Sequence, residues 1–379
     1  MAEITDSARG ISPLLELHQR GQSVWLDHIS RGLITCGTLR RWVERDGVTG
    51  VTSNPTIFAT AVTGSTDYDA ALAQLIRERG DISNAALAEQ LMIEDIQMAA
   101  DVLGPVFDRT QGADGFVSLE VSPASAGDTA ATIAEARRLW FDVARRNVMI
   151  KVPATPAGIP AVEVLVAQGI NVNITLMFSL EHYDAVAQAY LHGIRNHPGR
   201  PHVESVASIF VSRLDAVVDP LLDAIGSAEA KRLRGRVALA NARRIYRRFI
   251  EIFHGEAFVD LRRHGARIQR PLWASTGTKD PAYSDVRYLA GLVAPDTVTT
   301  VPPATLDAFR DHGAVPPASL ASLADEDDET LAGVAALGLD LTAITERLQS
   351  DGVVAFARSY QQLLDAVADK RSTIVGTVS

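Results

Sequence analysis

The sequence predicts an α/β protein, a closed parallel (β/α)8 TIM barrel with additional helices and a helical C-terminal extension. Three observations lead there. Eight short apolar runs of strand length occur along the 379 residues, and each is followed by a segment of helical periodicity. No G-x-G-x-x-G or G-x-x-x-x-G-K-[ST] element follows the first run, so a doubly wound open sheet fits less well. Polar residues recur at the C-terminal ends of several runs, where a barrel carries its chemistry. Without a low-complexity linker or a fixed-period repeat, residues 1–379 read as one domain, with a barrel core over about 23–313 and a helical extension over about 318–372.

A short amphipathic helix is expected over 11–22, followed by strand one at Ser23–Asp27. Residues 37–46 read as helix and Val48–Asn54 as strand two, which stops at Pro55. Two long helical patterns, about 67–79 and 83–103, form an insertion before strand three at Phe116–Ser122. After a helix over about 128–146 comes strand four, Asn147–Pro153, whose Val148, Ile150 and Val152 face one way and Met149 and Lys151 the other. Pro160 suits the first turn of the next helix and Gly169 its end. Asn171–Phe178 is strand five, and Ser179 is placed to cap a helix reaching about Ile194. Strand six is Glu204–Val211, with helices over about 215–227 and 236–254. Strand seven, Pro271–Ser275, precedes a helix over about 281–292. Strand eight, Thr297–Val301, ends at Pro302-Pro303 before a helix over about 305–312.

A net charge of −10 argues against general nucleic-acid binding. The basic residues Arg243, Arg244, Arg247 and Arg248 read as a solvated helix face, and the acidic run Asp325–Glu329 as an exposed loop or helix start. The longest charge-free stretch near the middle, Val164–Leu180, contains Gln168, Gly169, Asn171 and Asn173, so it is no membrane span. The opening MAEITDSARG has no apolar leader core, and Cys36 is the single cysteine, read as structural; both fit cytoplasmic residence. The nine histidines lack metal-ligand spacing, which disfavours zinc-dependent chemistry, and no metal is expected. Trp25 and Phe178 read as walls.

Strand alternation assembles a candidate site. If the apolar faces meet the helices, the barrel mouth collects Asp27, Asn54, Glu120, Lys151, Asn173, Thr175 and Ser275. Taken alone, Lys151 is most simply an ion-pair lysine. Beside carboxylates that can carry protons, its amine suits carbon–carbon bond cleavage through an imine. Lys151 condenses with a ketone, and Asp27 or Glu120 removes the proton of a hydroxyl two carbons away.

Five segments in order also resemble the transaldolase family. They are Gly50–Thr56 (GVTSNPT), Ser118–Pro123 (SLEVSP), Met149–Thr155 (MIKVPAT), Asn171–Ser179 (NVNITLMFS) and Ser208–Arg213 (SIFVSR). The resemblance implies a cofactor-free enzyme of the pentose phosphate pathway. It would move a dihydroxyacetone unit from a ketose phosphate, sedoheptulose 7-phosphate or fructose 6-phosphate, to glyceraldehyde 3-phosphate or erythrose 4-phosphate. By that likeness Lys151 forms the imine and Asp27 is the acid/base for bond cleavage. Glu120 and Thr175 position a catalytic water, and Asn54 and Asn173 hold the hydroxyls of the three-carbon unit. Ser208 and Arg213 bind phosphate. One departure stands out. Where many members of the family carry an arginine just after strand seven, this chain offers Lys279, which is expected to serve as the cation, though without an arginine's bidentate fork. The alternatives are an imine-forming aldolase that releases free dihydroxyacetone, and a phosphosugar-binding barrel without catalysis.

Overall fold

The structure, a computed structural model, describes residues 12–199, 202–316 and 320–378; the opening decapeptide, residue 11 of the expected first helix and the start of the extension at 318 lie outside them. Eight parallel strands close into a barrel in sequence order. They are β1 (Gln22–Leu26), β2 (Val48–Thr52), β3 (Val117–Glu120), β4 (Val148–Pro153), β5 (Val172–Met177), β6 (Ser205–Phe210), β7 (Gln269–Ala274) and β8 (Thr297–Val301), with β8 pairing back onto β1. Every residue of β4, β5 and β6 is buried, the polar ones among them included.

The strands end sooner than the sequence implies. Asn54 and Ser122 were expected inside strands two and three, but each caps a helix instead. Asn54 Oδ1 accepts from the Ile57 amide at 3.0 Å, and Ser122 Oγ accepts from that of Ala124 at 3.3 Å. The prolines that follow, Pro55 and Pro123, are preset for a first helical position, so the chain turns one residue before them. Strand seven begins earlier, at Gln269, and the helix expected over 281–292 contracts to Arg287–Gly291. Short helices at Arg31–Thr35, Ala228–Leu233 and Glu256–Arg263 have no counterpart in the sequence reading.

The two charged runs are not separate exposed faces. Asp327, only 2% exposed, takes Arg243 at 3.2 Å and Arg247 at 3.0 Å, and Arg247 also reaches Asp328 at 2.6 Å. These pairs tie helix Ala324–Ala336 to helix Val237–Phe253 across some 80 residues of sequence separation. Spacing within one helix cannot reveal such a partner. Cys36, read as structural, is exposed.

The N-terminal end of the barrel is closed by polar side chains. Trp25 Nε1 donates to Asp114 at 2.7 Å, and Arg270 donates to Ser23 Oγ at 2.9 Å. Trp25 occupies the lumen so fully that a Cβ on Gly50, its register partner on β2, would lie 2.5 Å from the indole. Only glycine fits there. Beside this plug, burial pushes Glu204 up to about 7, against the pull of Arg270 and Arg267. A carboxyl raised above its unfolded value near 4.5 favours the fold below that pH and loses this contribution as pH rises through about 7. Glu204→Gln is therefore expected to melt roughly 2–4 °C above the parent at pH 8, the gap closing towards pH 5 in calorimetric scans.

The extension ends in the long helix Leu341–Val378, which lies along helix Pro55–Thr63 and crosses the C-terminal mouth of the barrel. Lys370 fixes its far end, with Asp69 at 2.6 Å and the Ser65 carbonyl at 2.8 Å. No helix among the described residues is long and apolar enough to cross a membrane.

Candidate active site

Register brings the mouth together. Glu120 pairs with Lys151 across β3 and β4, Lys151 with Asn173 across β4 and β5, and Pro153 with Thr175 one step higher. A cavity of about 240 Å³ opens above them, lined by Asp27, Asn54, Lys151, Thr175, Ser208, Arg213, Ser275 and Lys279 among others. Of the ten residues singled out in the sequence, only Glu120 and Asn173 do not line it. Glu120 Oε2 lies 3.3 Å from the lysine nitrogen, and Asn173 is the register partner of Lys151 on β5.

The Lys151 and Glu120 side chains are each 6% exposed, with Nζ 3.3 Å from Glu120 Oε2. Nζ donates instead to the Ser53 carbonyl at 3.1 Å. The lysine–glutamate contact is thus one of charge rather than a directed hydrogen bond. Glu120 Oε2 and Thr175 Oγ1 are both buried and have no hydrogen-bond partner among the described residues. One lies beside the amine and the other belongs to a residue that lines the same cavity as Lys151, and such unpaired atoms are the hydrogen-bonding groups a bound water or substrate hydroxyl requires. Burial raises the Glu120 carboxyl, against the opposing charges of Lys151 and Arg213. Burial lowers the Arg213 guanidinium, against the pull of Asp27 and Glu120. Two carboxylates and two cations thus share one desolvated mouth.

Asp27 follows β1, its amide bonded to the Val301 carbonyl at 2.8 Å and its Oδ1 accepting from Thr52 Oγ1 at 2.8 Å. One carboxylate oxygen is thereby held and the other is left to the cavity. Asn173, fully buried, bridges the lumen: its Nδ2 donates to Ser118 Oγ at 3.0 Å and its Oδ1 accepts from Ser208 Oγ at 2.7 Å. Arg213 lies in the first turn of helix Ser212–Ile225 with its guanidinium carbon 4.7 Å from the Phe210 ring centre. Lys279 is exposed in the loop after β7, yet it lines the cavity.

Ser275 reaches the mouth by a different route from the one expected. Register aligns Ala274 with Phe210, and both line the cavity, so simple alternation would turn Ser275 outward with Trp273, whose Nε1 is spent on the Leu292 carbonyl. Ser275 instead adopts φ 55° just past the strand, which swings its hydroxyl to within 3.0 Å of Ser212 Oγ.

The sequence reading missed Phe356. It projects from helix Leu341–Val378 into the cavity, its ring centre 5.7 Å from Lys151 Nζ and 6.0 Å from the Arg213 guanidinium carbon. It is 5% exposed and recurs at helical spacing among other apolar residues, so the sequence marks it as a core position, not as a wall of the site.

The family described as Transaldolase/Fructose-6-phosphate aldolase matches residues 24–367, from β1 into the long final helix. The chain belongs to that family. A transaldolase of an Arthrobacter species is 44% identical over 360 residues, covering 94% of this chain and 96% of that protein. Those of Thermobifida fusca and Thiobacillus denitrificans are each 46% identical, over 95% and 92% of this chain and 98% of their own lengths. Similarity over the full length makes this member of the transaldolase family an enzyme of the transaldolase type, a transferase acting on sugar phosphates.

Proposed function

We propose that this chain transfers a dihydroxyacetone unit between sugar phosphates through an imine on Lys151. The observation that carries the reading is a buried lysine with a buried carboxylate 3.3 Å from its nitrogen and a second carboxylate, Asp27, in the same cavity. The neutral amine adds to the C2 carbonyl of fructose 6-phosphate or sedoheptulose 7-phosphate. Glu120, acting through a water shared with Thr175, moves the protons by which the carbinolamine loses water to give an iminium. Asp27 takes the proton of the C4 hydroxyl and the C3–C4 bond breaks. Its electrons neutralise the iminium as an enamine, and the aldose phosphate leaves. Addition of the enamine to an acceptor aldehyde, glyceraldehyde 3-phosphate or erythrose 4-phosphate, reverses the sequence.

In this reading Asn54 and Asn173 hold the hydroxyls of the three-carbon unit. Ser208, Arg213, Ser275 and Lys279 receive the phosphate. Barrel and C-terminal helix act as one domain, and the enzyme works in the cytoplasm. With fructose 6-phosphate and erythrose 4-phosphate, purified protein is expected to yield sedoheptulose 7-phosphate and glyceraldehyde 3-phosphate. Free dihydroxyacetone formed without acceptor at the transfer rate would instead favour the aldolase alternative.

The phosphate assignment has its own signature. Arg213→Ala is expected to raise KM for fructose 6-phosphate by about tenfold to a hundredfold, since a charge-assisted hydrogen bond is worth about 1.5–3 kcal/mol. Lys279→Ala is expected to do less, because an exposed ammonium acts as a screened point charge. Unphosphorylated fructose should show no KM change in Lys279→Ala. Steady-state kinetics with both donors checks this.

A further inference from the structure

The backbone beside the reactive lysine is strained at one point. Leu176, a bulky residue inside β5, has φ 62°, and the pairing of β5 with β6 slips between Ile174 and Met177. A left-handed leucine costs about 1–3 kcal/mol and persists only where its surroundings hold it. The residue before it is Thr175, whose hydroxyl is buried without a partner among the described residues and which lines the same cavity as Lys151. The turn at Leu176 therefore bears directly on where Thr175 points.

The group that holds this turn comes from the C-terminal helix. Gln349, 6% exposed, donates both hydrogens of its amide: one to the Leu176 carbonyl at 3.0 Å, the other to the Ala154 carbonyl at 2.9 Å. Ala154 in turn donates its N–H to the Thr175 carbonyl at 2.7 Å. A single buried side chain thus ties the ends of β4 and β5 together around Thr175. Three residues on, Gly352 lies against the same leucine, where a Cβ would come within 2.8 Å of Leu176 Cδ2. Phe356 and Ser359 continue this face, one reaching Lys151 and the other bonded to Thr56 at 2.8 Å. Positions 349, 352, 356 and 359 follow helical spacing, so one stripe of the helix is fitted to the mouth.

We infer that Gln349 is a positioning residue for the reaction: by clamping the carbonyls of Leu176 and Ala154 it holds the left-handed turn that aims Thr175 at the Lys151 imine. The inference rests on the role given to Thr175 above. Gln349 touches neither substrate nor Lys151. Its loss acts through Thr175, on the proton transfers that make and hydrolyse the imine, and leaves the phosphate end alone.

The test uses the full chain and a double-mutant cycle. Gln349→Met keeps the shape and removes both N–H donors. It is expected to lower kcat by about tenfold or more, the scale of a small misplacement of a catalytic group. KM for fructose 6-phosphate should stay within about twofold, with an unchanged far-ultraviolet spectrum. Gly352→Ala, which disturbs Leu176 without touching a hydrogen bond, should show the same split. In a Thr175→Ala background the Gln349→Met loss should largely vanish, because both changes remove one function. Wild-type kcat in Gln349→Met and Gly352→Ala would overturn the inference, as would losses that multiply independently in the double variant. Borohydride trapping on the parent protein separates the two levels: no adduct at Lys151 there undermines the imine reading itself, whereas trapping with additive losses removes only Gln349.

Discussion

Lys151→Arg is expected to lower the transfer rate by roughly 10⁴-fold or more while leaving the barrel folded. Arginine keeps a positive charge beside Glu120 Oε2, which lies 3.3 Å from the native nitrogen, and so preserves the electrostatic balance of the buried pair. It does not keep the chemistry, because a guanidinium stays protonated and forms no imine. The substitution therefore separates the two accounts of this residue. A lysine present only as an ion-pair partner would tolerate it with most turnover intact. A nucleophile would not. The measurement is a coupled transfer assay on variant and parent, with circular dichroism and thermal melting to verify the fold; substantial residual turnover in a folded variant contradicts the assignment.

Asp27→Asn is expected to produce the second largest loss, about 10²–10⁴-fold in kcat, the range for removing a general acid/base. Asparagine has the shape of aspartate and can still accept the Thr52 hydroxyl, now at 2.8 Å, through its carbonyl oxygen. What disappears is the ability to take a proton from the C4 hydroxyl. Imine formation precedes that step, so this variant should still trap fructose 6-phosphate on Lys151 while failing to release aldose phosphate. Turnover within about tenfold of the parent would move the base role elsewhere, with Glu120 the remaining carboxylate. Loss of trapping would place Asp27 earlier in the sequence of steps.

The barrel was legible in the sequence because strands buried on both faces leave long apolar runs, and prolines and caps mark their ends. The mouth was legible because side chains alternate along a strand: Glu120, Lys151, Asn173 and Thr175 fall on one face by parity alone, and register then stacks them. Parity failed at Ser275, where a left-handed residue after β7 reverses the direction of the side chain. No residue-type signal marks that turn, since serine is an unremarkable strand-end residue.

What the sequence hid belongs to contacts between distant segments. Gln349 and Phe356 sit in a helical run whose periodicity reveals an apolar face but not the surface that covers it. Only the docked helix shows that this face meets β4, β5 and the reactive lysine. The same holds for Arg243, Arg247 and Asp327. Each run looked self-sufficient at the surface, and the pairing that buries Asp327 became visible only with helix Ala324–Ala336 in place. Local periodicity identifies faces, and tertiary structure decides which faces meet.

The central claim, an imine on Lys151, is tested most directly by borohydride reduction in the presence of fructose 6-phosphate, followed by peptide mass mapping. The expected result is one stable three-carbon adduct, carried by the peptide that contains Lys151 and absent from Lys151→Arg. An adduct on another lysine, or no adduct from protein that is actively transferring, would contradict the assignment.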